Sequence, residues 1–196
     1  MVSYVFDKIL NSPDKPQRVA QARDWFRDQA ENIRANQVSP SRMLDSDRSA
    51  LTEKLLPGRM YMFTYDPKTK DKLPYYDTFP LSVIVDITGD SFLGLNLHYL
   101  PPGMRASMMD ALWQRTMNKT TMDEKTQIRL SYETMKAVSG LRGYKACLKR
   151  YLFSHVRSRF MFVDPNKWDI ALMLPTQRFK GASINTIYKD SAAKAR

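Results

Sequence analysis

The order of apolar and polar residues divides the chain into a helical beginning, a β-rich middle and a largely helical end. Asp14-Lys15-Pro16-Gln17 has an acidic cap, a proline just inside it and a glutamine three residues on, the marks of a helix start. Val19, Ala22, Phe26 and Ile33 then recur at helical spacing. They predict one amphipathic helix to about Asn36, and its outer face mixes both signs of charge. The polar run from Gln37 to Glu53, with Ser39-Pro40-Ser41 inside it, reads as a linker or loosely docked arm, and Pro57-Gly58 marks a further boundary. The expected division is an N-terminal helix and arm over residues 1–54 and a core domain over 55–196.

From Arg59 the period falls to two. Met60, Met62 and Thr64 alternate with Tyr61, Phe63 and Tyr65, so both faces of this strand are largely apolar and both should be buried. Leu81 to Ile87 is a second strand rich in β-branched residues, Thr88-Gly89-Asp90-Ser91 a tight turn, and Phe92 to Leu97 the returning third strand. Three strands need a helix or a further strand over their apolar face. The expected fold class is α+β: a small antiparallel sheet or SH3-like partial barrel over about 59–100, packed with helices, preceded by the N-terminal helix and followed by a helical C-terminal half.

Beyond Pro101-Pro102-Gly103, Met104, Met108 and Leu112 form one helical row and Met109, Trp113 and Met117 another, which predicts a helix buried on more than one side. Thr121 and Glu124 make a capping box for a helix carrying Ile128, Tyr132 and Met135. Ser139 to Gly143 separates it from a helix expected over about Tyr144 to Val156. Ser158 to Val163 suits a fourth strand. Asp164-Pro165 caps a short helix through Trp168, Ala171 and Leu172 that Pro175 stops, and the end from Thr176 should be helical.

Charge changes the picture more than composition does. The 31 Lys and Arg against 20 Asp and Glu leave a net charge of +11, a field suited to nucleic acid, an anionic membrane surface or an acidic protein. No apolar run approaches the roughly 18–20 residues that span a bilayer, and Asp7 and Lys8 interrupt the early apolar patch, so neither a membrane segment nor a signal peptide is expected. The single cysteine, Cys147, excludes an intramolecular disulfide framework and fits a reducing compartment such as the cytoplasm.

Seven basic residues and no acidic one lie between Thr134 and Val163. Placed on a helix, Arg142, Lys145 and Lys149 share one face, with Tyr144, Leu148, Tyr151 and Leu152 opposite. A cationic face beside a buried apolar one is what a docked helix presents to a polyanion, although an ordinary solvated face has the same composition. Arg142, Lys145, Lys149, Arg150, Arg157 and Arg159 are the expected contacts to nucleic-acid phosphates. In Leu73-Pro74-Tyr75-Tyr76-Asp77-Thr78-Phe79-Pro80, Tyr75 and Tyr76 are candidates to stack on bases, the alternative being tyrosines that cover the open end of the sheet.

Catalytic chemistry finds little support. His98 and His155 lack partners at ligand spacing and read as hydrogen-bonded structural histidines; Cys147 lacks a base and reads as a buried thiol. Gly140 and Gly143 form no phosphate loop, and Asp66, Asp71, Asp77, Asp86 and Asp90 sit where they would cap and turn. No cofactor or metal is expected, and no enzymatic activity.

Three strings carry a family likeness: Pro57-Gly58-Arg59-Met60-Tyr61-Met62-Phe63-Thr64-Tyr65-Asp66-Pro67-Lys68, the Leu73 to Leu81 loop, and Phe92-Leu93-Gly94-Leu95-Asn96-Leu97-His98-Tyr99-Leu100-Pro101. With Tyr151 to Phe160 and Asp164-Pro165 downstream, the stretch from about Leu55 to Phe179 resembles the DNA end protectors of large contractile-tailed, T-even-like phages. That resemblance implies a virion protein that caps packaged DNA against host exonuclease and has no catalytic residues. The expected partners are DNA and other virion proteins, with no membrane. A second reading is a structural connector of the tail, neck or baseplate, its basic face on acidic subunits and its Met-rich helix in an interface.

Overall fold

In the computed structural model, which describes residues 5–24, 51–52, 55–116, 144–173 and 177–195, the alternating middle of the chain supplies the frame. Strand β2 (Met60–Met62) is buried on both faces, as its apolar alternation predicts. It lies between β4 (Leu81–Thr88) and β7 (Phe160–Val163), antiparallel to both. Strand β5 (Ser91–Asn96) returns from β4 through a turn at Gly89, where φ is 42°. With β1 (Leu51–Thr52) and β6 (Leu148–Leu152) the sheet runs in the order β1-β7-β2-β4-β5-β6. Among the described residues it is open, with β1 and β6 at its edges, and they form no partial barrel. A second, two-stranded sheet pairs β3 (Tyr76–Asp77) with β8 (Phe179–Lys180).

Helices cover one face. They are α1 (Val5–Leu10), α2 (residues 15–24), α3 (Pro102–Thr116), α4 (Trp168–Met173) and α5 (Ile184–Ala195). Met62, Val83 and Leu95 of the sheet share a core with Phe6, Ala22, Met108, Met109, Leu112, Trp168 and Ile187. Residues from both expected divisions of the chain therefore meet in one core. Asp110 of α3 fixes the first helix by accepting the backbone N–H groups of Phe6 at 2.9 Å and Asp7 at 3.2 Å, two of the donors that a helix start leaves open. Buried Arg105 donates to the Leu97 carbonyl at 3.0 Å and to the Tyr188 hydroxyl at 3.2 Å, joining α3 to α5.

The other face is aromatic. Phe63 meets Tyr151, Phe160 and Phe92 edge-on at centroid distances of 5.1, 5.3 and 5.5 Å, the geometry that ring quadrupoles favour. At Gly94 a Cβ would collide with Ser82 Oγ on the neighbouring strand, so glycine permits the close β4–β5 approach.

The expected β2, β4, β5, α3, β7 and α4 are present, and Asp164 caps the turn before α4 by accepting from Asn166 N–H at 2.8 Å. Two expectations fail. The basic helix over Tyr144 to Val156 is instead a turn, strand β6 and a short 3₁₀ turn (Phe153–His155). In β6, Tyr151 pairs with Phe92 and Leu148 with Leu95, so the sheet edge and its aromatic cluster reward an extended backbone that the helical wheel could not weigh. The C-terminal half is accordingly not all helical; β8 precedes α5, which begins only at Ile184. The helix expected from Thr121, most of the arm, and Arg142 lie outside the described residues. Among those that are described, no helix is long and apolar enough to cross a membrane.

Candidate nucleic-acid interface

Asp66-Pro67 ends the strand-like run after β2 because proline cannot continue a ladder, and the chain turns through a 3₁₀ turn (Lys70–Lys72) before entering the tyrosine loop. That loop is held from three directions. Tyr76 and Asp77 pair with Lys180 and Phe179. Gly181, at φ 91°, comes so close to the Pro74 carbonyl that a Cβ there would collide with it. The third hold is Asp77, a buried carboxylate at the end of the loop.

Asp77 accepts from Asn96 Nδ2 at 3.0 Å, His98 Nδ1 at 2.7 Å, Phe79 N–H at 3.0 Å and Arg178 N–H at 3.3 Å. Burial alone would push its pKa up, but His98 above all, then the Phe79 N–H and Asn96, outweigh it and hold the carboxyl below the usual carboxylate range. His98 is fully buried, and burial, with Arg105 nearby, pushes its pKa down; the neutral ring donates its Nδ1 proton to Asp77. His98 is thus a hydrogen-bonded structural histidine, with a partner 21 residues upstream. His155 directs Nδ1 to the Asp66 carbonyl at 2.8 Å. Cys147 is buried, and burial pushes its thiol up to about 12, far from a reactive thiolate.

Between this loop and the edge strand β6 lies a cleft of about 420 Å³. Tyr65, Tyr75, Tyr76 and Tyr99 supply aromatic wall, the edge strand supplies Lys149 and Arg150, and Lys68 joins the lining from the segment before the loop. Tyr75 packs on Tyr99 with centroids 6.0 Å apart, and burial followed by Asp190 raises its hydroxyl pKa. Lys149 is half-buried, its Nζ 4.0 Å from the centre of the Tyr99 ring. Burial first, and the charge of Lys194 second, push its pKa down to about 8. An ammonium above a ring face is held by the ring's quadrupole, yet the ring does not neutralise its charge, and among the described residues no carboxylate pairs with it.

Of the residues expected to bind, the cleft brings together Lys149, Arg150, Tyr75 and Tyr76. Lys145 is exposed in the turn before β6 and Arg159 is half-buried; neither lines the cleft. Arg157 stands beside Asp66 at 3.7 Å, an exposed pair of small energetic weight. Tyr65, Lys68 and Tyr99 join the site without any local sequence signal, because only long-range strand pairing delivers them. Tyr75 packs against the core beneath the helices, and both tyrosines line the cleft. Among the described residues no group of three or more His, Cys, Asp or Glu gathers as metal ligands would.

Neither the comparison with curated proteins nor that with solved structures gave a match. The family described as Phage T4 terminal DNA protecting protein matches residues 7–191. This span takes in the sheet, the tyrosine loop, the edge strand and the first two thirds of α5, so a protein whose cleft sets cations against tyrosines belongs to the phage T4 terminal DNA-protecting family.

Proposed function

We propose that this protein is a component of the phage particle that binds the end of packaged DNA without base specificity and shields it by occupancy, with no catalytic step. The observation that carries this reading is the cleft lined by Lys149 and Arg150 together with Tyr75, Tyr76 and Tyr99. Cations meet phosphates whatever the sequence, and aromatic rings stack on any base. The family supports DNA ends as the target. Lys145, Arg157 and Arg159, outside the cleft, would extend phosphate contact along the duplex. The connector reading gains nothing comparable: Met108 and Met109, which it would place in an interface, are fully buried in the protein's own core.

The test is protection of a linear duplex from a processive exonuclease by the purified protein. Protection should rise with protein concentration, persist when the terminal sequence is changed, and require no divalent metal. Unimpaired digestion at saturating protein would overturn the reading, and metal-dependent cleavage by the protein itself would replace it with a nuclease.

A further inference from the structure

Resting on that DNA-end reading, we propose that the cleft receives one unpaired nucleotide from the DNA terminus, its base against the tyrosines and its phosphate at Lys149. Size is the first argument. A cleft of about 420 Å³ falls low in the range of small-ligand sites, about 300–1,000 Å³. That size suits one nucleotide better than a base pair with both its backbones. On this proposal the duplex stops at the mouth, and a strand end supplies a nucleotide tethered from one side.

The chemistry of the lining agrees. A surface that tracks a duplex presents a row of exposed cations, whereas here one of the three lining cations, Lys149, is recessed over a ring. Lys149 lies over Tyr99, with Arg150 exposed beside it and Lys68 also in the lining. Asp77, the carboxylate among the lining residues, already accepts from four donors of its own structure. It neither neutralises Lys149 nor claims an incoming donor. A half-buried ammonium with no carboxylate partner among the described residues is favoured by any anion that enters, and its lowered pKa expresses the same want. The ring walls are sequence-tolerant, since every base has a stacking face.

The site is also held in shape before anything binds. The β3–β8 pairing, the Asp77 hydrogen bonds and the close approach at Gly181 fix the loop bearing Tyr75 and Tyr76. A wall fixed in advance loses less ordering entropy on binding. Enzymes that act on a base withdraw it from the stack into a comparable pocket. Here withdrawal alone suffices, because a terminal nucleotide held in a cleft is out of reach of an exonuclease.

The probes are thymidine 5′-monophosphate, thymidine 3′-monophosphate, thymidine and inorganic phosphate, titrated against the whole chain alone and in competition with a fluorescent blunt duplex. One of the monophosphates should bind at a single site and displace the duplex, and which one does so tells whether the terminal phosphate is 5′ or 3′. Thymidine and inorganic phosphate should each bind at least about tenfold more weakly. Lys149→Gln should weaken the monophosphate by about tenfold or more, while Lys149→Arg, which keeps the charge, should restore most of it. If the duplex end binds but neither monophosphate binds or competes, the nucleotide pocket is overturned and end binding stands. If neither duplex nor monophosphate binds, both fall. The competition uses the unaltered protein, so it decides even if a variant fails to fold.

Discussion

Lys149 and Asp77 show how two charged residues of one cleft are held in opposite ways. Asp77 is surrounded by donors, and removing it strands those of Asn96, His98 and Phe79 in a buried place and frees the half-buried Arg178 N–H. Asp77→Ala is therefore expected to cost about 3–5 kcal/mol, measured by urea unfolding. Lys149 has the reverse condition, a charge with no carboxylate partner among the described residues. Its folded pKa is about 8, against an ordinary lysine value near 10.4. Between those limits the unfolded chain binds more protons, so stability gains from this residue as pH rises; below pH 8 the cost of burying the charge is present in full. Cys147, pushed up to about 12, acts in the opposite sense at alkaline pH, as do the raised tyrosines Tyr65, Tyr75 and Tyr99. Among the described residues, the other titratable or charged groups around Lys149 and its cleft are Lys194 on α5, Cys147, Arg150 beside it, Lys68 and Asp77 in the cleft lining, and Asp190, which acts on Tyr75. Comparison with Lys149→Met removes the contributions common to both proteins. The stability of the variant relative to the wild type should fall by on the order of 1–3 kcal/mol between pH 7 and pH 10, read from unfolding curves at both pH values.

Among the elements, β6 and the β3–β8 pair decide the site, and they are also the least legible in the sequence. Strands β2, β4 and β5 can be read because their apolar residues alternate over long enough runs, closed by Gly89 or Pro101. Leu148-Lys149-Arg150-Tyr151-Leu152 is too short to separate a period of two from one of 3.6. What settles it is Phe92 and Leu95 on the strand alongside. Tyr76 and Asp77 find their strand partners about a hundred residues later, at Lys180 and Phe179, a distance that no local pattern spans. The candidate residues are therefore half legible. Lys149, Arg150, Tyr75 and Tyr76 announce themselves by type, while Tyr65, Lys68 and Tyr99 become part of the site only through topology. Gly181 is the sharpest check on this arrangement. Alanine there would be strained at φ 91° and would strike the Pro74 carbonyl. Gly181→Ala should destabilise by about 1–3 kcal/mol, and it should weaken DNA-end binding more than Gly103→Ala, whose site is open. Melting curves and DNA titrations on the two variants make the comparison.

At the scale of the whole molecule, the net charge of +11 draws the protein to any polyanion, and the cleft must supply the preference for an end. These contributions separate by salt. Removing one phosphate-binding cation should reduce the log–log salt slope on duplex DNA by about 0.9. Arg150→Gln is thus expected to lower both the slope and the affinity for ends, whereas Lys145→Gln, outside the cleft, should lower affinity for linear and end-free DNA alike. The most direct measurement compares a blunt linear duplex with the same sequence sealed at both ends by hairpin loops, titrated at one fixed salt concentration. A protein that holds a terminal nucleotide should bind the open duplex at least about tenfold more tightly than the sealed one. Equal affinity for the two would mean that charge alone does the binding, and would contradict the account.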